Sequence, residues 1–424
     1  MKNQNVARIK KALALLKGAP RKETLVVSSN PGAIRSRDTH YPYRPNSDLY
    51  YLTGSSAEDL SLVLRPHAED PVVLLAPPED NVKNLWDGTP VAVKPLARAL
   101  KARLITTTEP TRQIVGLLRG SDAAYLQSIP GTVSAAVKHD LSTRSSVSLR
   151  GLPGALMEAE HFTGRMRLLK DSAEVSFIKK AAAVTGGALQ NALPLVQAGV
   201  QEREIAAFIE YFYRVHGAEP AFNSIVASGV SAATLHYRSL NRRLKKGELL
   251  MIDTGAELDM YASDITRMIP VGGVISPALR DLHDIVLRAQ LVAIKKIRPG
   301  VPLTDIYNAA ARELTHGLKY LGILKGDVSS LIKKGAHKHY FPHGVGHSLG
   351  IDVHDATPAG QEAVLQKGMV ITIEPGLYFQ RPTGALPACG VRIEDDILVT
   401  SRGHEILTEG AFTKDLDQLA SLMS

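Results

Sequence analysis

Two segments of this 424-residue chain carry the same pattern. Residues 246–255 read KGELLMIDTG and residues 367–376 read KGMVITIEPG. Each sets Lys-Gly, an apolar run of strand composition, an acid and a glycine in one register. Asp253 and Glu374 fall at equivalent places. Such self-similarity predicts a duplicated, pseudo-symmetric domain with one carboxylate offered from each half.

A second acid follows each of these. Asp264 lies in the apolar segment 263–269, and Glu394 in 391–397. A hairpin turning at Leu258 and Asp259 sets Asp253 directly opposite Asp264. One turning at Gly384, within the turn sequence RPTG, sets Glu374 opposite Glu394. Opposed residues share a face, with Cβ atoms about 4.5–5.5 Å apart. Carboxylates that close repel each other unless a proton or a cation lies between them. Two such hairpins make a box of four carboxylates.

A glycine–histidine stretch, 343–355, lies between the hairpins. His343, His347 and His354 within it, and His236 upstream, are candidates for metal ligand, proton shuttle or substrate contact. Arg392 shares a strand face with Glu394. Acids with one imidazole suit Mn²⁺, Co²⁺, Fe²⁺ or Zn²⁺, and bridging carboxylates suit a pair of ions about 3.5–4 Å apart. Taken singly, each acid would read as a turn or cap residue. That reading leaves the matched pairs unexplained. Gly344, Gly346 and Gly350 are spaced GxGxxxG with no Lys-Ser/Thr after them, which does not fit a phosphate loop. No HExxH helix occurs.

Two domains are expected. Residues 1–165 mix short strands (24–28, 49–52, 61–64, 72–76) with helical stretches, an α/β pattern. Residues 166–424 are α+β, with helices over 171–197, 202–216, 277–297 and 303–323 and strands over 248–254, 263–271, 369–374 and 391–399. Asp171 with Glu174 predicts a capped helix start after the boundary.

The net charge of +8 is almost all in residues 1–22, which hold seven basic residues and no acid. A nucleic-acid binder needs cations over a face, so that class is excluded, and the segment reads as a surface helix with Val6, Ile9, Leu13 and Leu16 inward. The apolar run 12–16 is shorter than the ~7 residues of a secretory core. No run reaches the ~18 residues of a membrane span. The only cysteine, Cys389, rules out a disulfide or thiolate framework within one chain and fits a cytoplasmic setting.

The motifs TLHY (234–237), DTG (253–255) with SDITR (263–267), HGVGHSLGIDVHD (343–355), TIEPGLY (372–378) and GVRIEDDILVT (390–400) resemble those of Xaa-Pro aminopeptidases (aminopeptidase P) in the pita-bread metallopeptidase superfamily. YPYRPNSDLYYLTG (41–54) extends the resemblance into the amino-terminal half. It implies an α/β amino-terminal domain with a mixed sheet and a pita-bread catalytic domain with a curved antiparallel sheet. It implies two ions, most often Mn²⁺: one on Asp253, Asp264 and Glu394, the other on Asp264, His347, Glu374 and Glu394. Glu374, His236, His343, His354 and Arg392 match active-site positions. The implied activity releases the first residue of peptides with proline second, using a metal-activated hydroxide. A prolidase acting on Xaa-Pro dipeptides is the alternative, and a non-catalytic peptide-binding module a remote one. A homodimer or homotetramer is implied, with no nucleic-acid or membrane partner. One departure concerns Trp86, where relatives often have an arginine shortly after; Thr89 and Pro90 stand there.

Overall fold

The apolar runs of the amino-terminal half become one six-stranded mixed sheet. Its strands are Glu23–Ser28 (β1), Ser61–Leu64 (β2), Val72–Ala76 (β3), Arg103–Thr106 (β4), Ala123–Leu126 (β5) and Ala155–Glu158 (β6), in the order β4-β3-β2-β1-β5-β6. The pairs β1/β2 and β2/β3 are antiparallel; β3/β4, β1/β5 and β5/β6 are parallel. Helices Lys2–Lys17 (α1), Asn81–Asp87 (α2), Pro110–Leu117 (α3) and Val133–Thr143 (α4) belong to the same unit. Val26, Val63, Val73 and Ala124 form one buried face with Ile114 of α3 and Val137 of α4. The structure is a computed structural model that describes residues 2–89, 91–143, 151–357 and 364–423, so Pro90 lies outside it. The chain divides into two compact units, Met1–Arg167 and Leu168–Ser424.

One expected strand is a helix. Residues 49–52 lie inside the helix Ser47–Thr53. A short apolar run does not separate strand from helix by periodicity. The flanks decide: the Asn46 side chain accepts from the N–H groups of Asp48 and Leu49, and Gly54 closes the helix in the left-handed region at φ 68°.

In the second unit, helices Ser172–Ala192 (α5), Glu202–Val215 (α6), Pro277–Ile294 (α7) and Leu303–Tyr320 (α8) accompany short antiparallel ladders. Asp171 and Glu174 form the expected capping box at the start of α5. The strands are Ile225–Ser228 (β7), Leu249–Thr254 (β8), Ala256–Leu258 (β9), Tyr261–Ala262 (β10), Ile265–Pro270 (β11), Val370–Ile373 (β12), Gly376–Phe379 (β13), Cys389–Arg392 (β14), Asp395–Val399 (β15) and His404–Ile406 (β16). They form the ladders β7-β8-β11, β12-β15-β16 and β13-β14, with β9 paired to β10. No helix among the described residues is long and apolar enough to cross a membrane.

The two acidic hairpins differ from each other. In the second, Ile373 pairs Asp395 and Gly376 pairs Arg392. One register runs through both ladders, and Glu374 and Glu394 face each other in the gap between them, as expected. In the first, Asp253 pairs Thr266, and Leu258 pairs Tyr261. Asp253 and Asp264 are therefore diagonal neighbours rather than opposed. The turn is Asp259 and Met260, both at positive φ (51° and 69°). A turn at Leu258 and Asp259 would force a γ-branched side chain into that region first; an aspartate tolerates it better. The shift also keeps Tyr261 paired, buried and stacked on Phe177.

Candidate metal centre

Each ladder breaks where an acid must turn inward. Asp253 is the penultimate residue of β8, and Glu374 follows β12 directly. Glycines let the other segments approach. A Cβ on Gly255 would lie 1.8 Å from the Ser263 carbonyl oxygen, and one on Gly346 would lie 1.9 Å from that of Thr372. Only glycine fits such contacts.

Asp264, His347 and Glu394 come together with one ligand atom each, all within 4.8 Å of one another. His347 Nε2 lies 3.6 Å from Asp264 Oδ2 and 3.6 Å from Glu374 Oε1. These distances exceed a hydrogen bond. His347 Nδ1–H donates to the Ser348 carbonyl at 3.1 Å, which leaves the Nε2 lone pair facing the acids. Burial holds the His347 imidazole down at about 4, so it is neutral. Asp253 belongs to the same cluster through Arg392, whose Nη2 donates to Asp253 Oδ2 at 2.5 Å.

The acids are short of positive charge. Asp264 is raised well above the usual range by burial, then by Glu394 and Asp253. Glu394 is raised by burial, then by Glu374 and Asp253. Glu374 is pushed up by burial and held by Arg392 to about 7. Buried Asp253 Oδ1, Asp264 Oδ1 and Glu394 Oε1 have no hydrogen-bond partner among the described residues. Unpaired buried oxygens on like-charged groups are costly, and a bound cation removes that cost. The donor set of carboxylates plus one neutral imidazole therefore fits divalent metal.

The other expected residues surround this cluster. His343 Nδ1–H donates to the Gly344 carbonyl at 2.8 Å, and its Nε2 accepts from the Tyr378 hydroxyl at 2.8 Å. Burial, then Arg392, lowers His343 to about 4. His354 is exposed, and its ring centroid lies 4.2 Å from that of His347. His236 is exposed and close enough to His343 to oppose its protonation. Arg392 is 3% exposed, and its donors are committed to Asp253, to Tyr378 at 2.9 Å and to Thr266 at 3.4 Å.

Sequence reasoning missed Tyr378, Thr266, Thr372 and Asp396. Thr266 donates to Glu394 Oε2 at 2.6 Å, and Thr372 Oγ1 accepts the His347 N–H at 3.0 Å. Asp396 Oδ2 accepts the Asp264 N–H at 3.1 Å. Alternation along the strands carries the signal: each stands two or four residues from a named acid, on the same face.

Residues 176–401 match metallopeptidase family M24, and residues 3–125 match the aminopeptidase P amino-terminal domain. The chain is 34% identical over 411 residues to a Xaa-Pro aminopeptidase of Escherichia coli, covering 94% of this chain and 93% of that protein. It is 29% identical over 425 residues to Intermediate cleaving peptidase 55, mitochondrial, of Arabidopsis thaliana, covering 99% and 82%. The solved structure of aminopeptidase P from E. coli superposes with a TM-score of 0.91 at 31% identity, covering 100% of this chain and 98% of that one.

Proposed function

This chain belongs to metallopeptidase family M24 and carries an aminopeptidase P amino-terminal domain, and from that premise we propose that it releases the first residue of peptides whose second residue is proline. It is a hydrolase with the two-domain aminopeptidase P architecture, its catalytic unit the pita-bread domain. The observation that carries the reading is the buried cluster of acids with unpaired oxygens around His347 Nε2.

We assign one ion to Asp253, Asp264 and Glu394 and a second to Asp264, His347, Glu374 and Glu394, with Mn²⁺ the leading occupant and Co²⁺, Fe²⁺ or Zn²⁺ compatible with the donors. When bound, such ions supply a water acidic enough to be a nucleophile near neutral pH and a Lewis acid for the carbonyl. The chain does the rest. Glu374 is half-buried at the edge of the cluster and is assigned proton transfer. His236 and His354, both exposed, contact the carbonyl oxygen as it gains charge. His343 and Arg392 shape the side that receives proline; Tyr378 joins them in one hydrogen-bonded row. An Xaa-Pro bond has no N–H, so recognition must come from ring and carbonyl contacts.

A homodimer or homotetramer fits α2, where Val82, Leu85 and Trp86 are 67%, 84% and 82% exposed. A cytoplasmic setting agrees with the single buried cysteine.

Digestion of a peptide panel with Mn²⁺, Co²⁺ and Zn²⁺ tests the function. Gly-Pro-Ala is expected to be cleaved faster than Gly-Pro; the reverse order makes the enzyme a prolidase. The name of the Arabidopsis relative makes a peptide without proline a necessary member of the panel, and preference for it sinks the proline assignment. Glu374→Ala is expected to cut turnover on the order of 10³-fold or more and to reduce bound metal. Near-parental turnover with two ions bound would refute the assigned role.

A further inference from the structure

His236 stands apart from the other assigned groups. They lie on strands, in the short gaps between successive strands or on the 343–355 loop, whereas His236 lies in the irregular passage from the end of β7 at Ser228 to β8. Regular structure there is limited to the 3-10 turn Gly229–Ala233 and an isolated bridge between Arg243 and Gln201. One buried carboxylate binds its start, its middle and its later part.

Glu202 is the first residue of α6 and is fully buried. Its Oε1 accepts from the Ser228 N–H at 2.8 Å and the Ser228 hydroxyl at 2.9 Å, at the start of the passage. Its Oε2 accepts from the Arg242 N–H at 3.1 Å, near the end. The same Oε2 accepts from the Tyr237 hydroxyl at 2.9 Å, in the middle. Tyr237 is the residue after His236. The backbone adds Glu202 N–H to the Arg242 carbonyl at 3.0 Å and Arg203 N–H to the Leu240 carbonyl at 3.1 Å, and nearer β8 Leu244 exchanges bonds of 2.9 Å with Gly199 N–H and the Val200 carbonyl. N–H groups that a helix start leaves without partners thus hold this loop.

A counter-charge is built in. Arg242 makes a two-pronged pair with Glu248, at 2.6 Å on each arm, and donates to Ser228 Oγ at 2.8 Å. Gly229, at φ +52°, leaves room for it: a Cβ there would lie 2.7 Å from Arg242 Nη1 and 2.8 Å from Glu248 Oε1. Four donors on one buried carboxylate make a rigid node, because each lost bond leaves a desolvated group unpaired.

We propose that Glu202, acting through the Tyr237 hydroxyl, is a positioning residue that fixes His236 beside the metal cluster. The inference rests on the carbonyl-binding role assigned to His236 above. A histidine that must meet developing charge needs a fixed place, and a misplacement of about 1 Å costs up to ~10²-fold in rate. The node supplies this from outside the cluster without touching a metal ligand.

The test compares Tyr237→Phe, His236→Ala and the double variant. For each, kcat and KM on the best peptide of the panel and bound metal are measured, with deuterium uptake over 229–242 in the metal-free protein. Tyr237→Phe is expected to lower kcat about tenfold with KM within about twofold. Uptake should rise and metal content stay at the parental value. In the His236→Ala background the same change should cost nothing further, because residues acting through one another are not additive. A parental kcat in Tyr237→Phe, beside a large loss in His236→Ala, overturns the positioning role alone. Losses that multiply in the double variant also overturn it, since Tyr237 would then act independently of His236. Full activity in His236→Ala removes the assigned role of His236 and this proposal with it. Glu202→Gln disturbs all four donors and probes folding as well as position, so the decision rests on Tyr237→Phe.

Discussion

Glu394, in the gap before β15, and Asp395, its first residue, are neighbours in sequence and both buried. Their surroundings differ completely. Asp395 accepts from Arg267 at 2.7 Å, Lys414 at 2.6 Å, Gln290 at 2.9 Å and Thr408 at 2.8 Å. Burial pushes its carboxyl up, but Arg267, Lys414 and the hydrogen bonds outweigh this and bring it to about 2. Glu394 accepts only from Thr266 on one oxygen, and its other oxygen is unpaired. Burial and neighbouring acids raise it well above the usual range. Burial acts equally on both. The difference is positive charge, which the fold supplies on one side and leaves short on the other. On the Glu394 side, Arg392 is the cation that faces Asp253, Glu374 and Glu394. Such a deficit is the signature of a site completed by cations.

Neutral substitutions at these two positions should therefore act with opposite sign. Asp395→Asn leaves buried Arg267 and half-buried Lys414 without their acid and should destabilise the metal-free protein by about 3–5 kcal/mol. Glu394→Gln relieves repulsion and should stabilise the metal-free protein by about 1–2 kcal/mol at pH 8, while metal uptake is lost. Urea unfolding in EDTA, with elemental analysis of each variant, decides this. Destabilisation of similar size in both variants would break the comparison.

The same contrast has a pH dependence. In the metal-free protein Glu374 sits at about 7, against an ordinary value of 4.5. The folded state then holds a proton that the unfolded chain has released, so stability falls as pH rises through that window, by about 3 kcal/mol for this group. Asp264 and Glu394, also raised, act in the same direction. Asp395 acts in reverse: its contribution is complete above about pH 4 and is lost as pH falls through 2. Calorimetry in EDTA should find a higher Tm at pH 5 than at pH 7.5. Free Mn²⁺ fixed at 100 times its pH 7.5 Kd should raise stability by about 3 kcal/mol at pH 7.5, and the same free concentration should give less at pH 5. Equal gains at the two pH values would show that the acids are not short of charge.

The acids themselves were legible because strand alternation and the repeat constrain them. Glu374 and Glu394 were placed in register from spacing alone, since one continuous register runs through their hairpin. The first hairpin slipped because its register depends on which two residues accept positive φ, and neither Asp259 nor Met260 is a glycine. The helix at Ser47–Thr53 was hidden for a similar reason: its caps, Asn46 and Gly54, lie outside the apolar run that reads as a strand. The node at Glu202 was illegible. Its partners lie 26 to 40 residues away on a loop without periodicity. Only the folded chain shows that Gly229 exists to admit Arg242.

Tyr378 gives the finest test of where the deficit ends. Its oxygen accepts from Arg392 Nη1 at 2.9 Å and its proton goes to His343 Nε2 at 2.8 Å, so it links the one cation of the box to a neutral imidazole. Gly376 is tight against it: a Cβ there would lie 2.5 Å from the hydroxyl oxygen. Tyr378→Phe keeps the ring and leaves Arg392 bonded to Asp253 and Thr266. The lost bonds should cost about 1 kcal/mol of stability. Turnover should fall about three- to tenfold through His343, with metal content unchanged. If bound metal falls as in Glu394→Gln, then Arg392 depends on Tyr378 to balance Asp253. The boundary between the satisfied and the charge-deficient regions would then lie one residue further out than the hydrogen bonds place it.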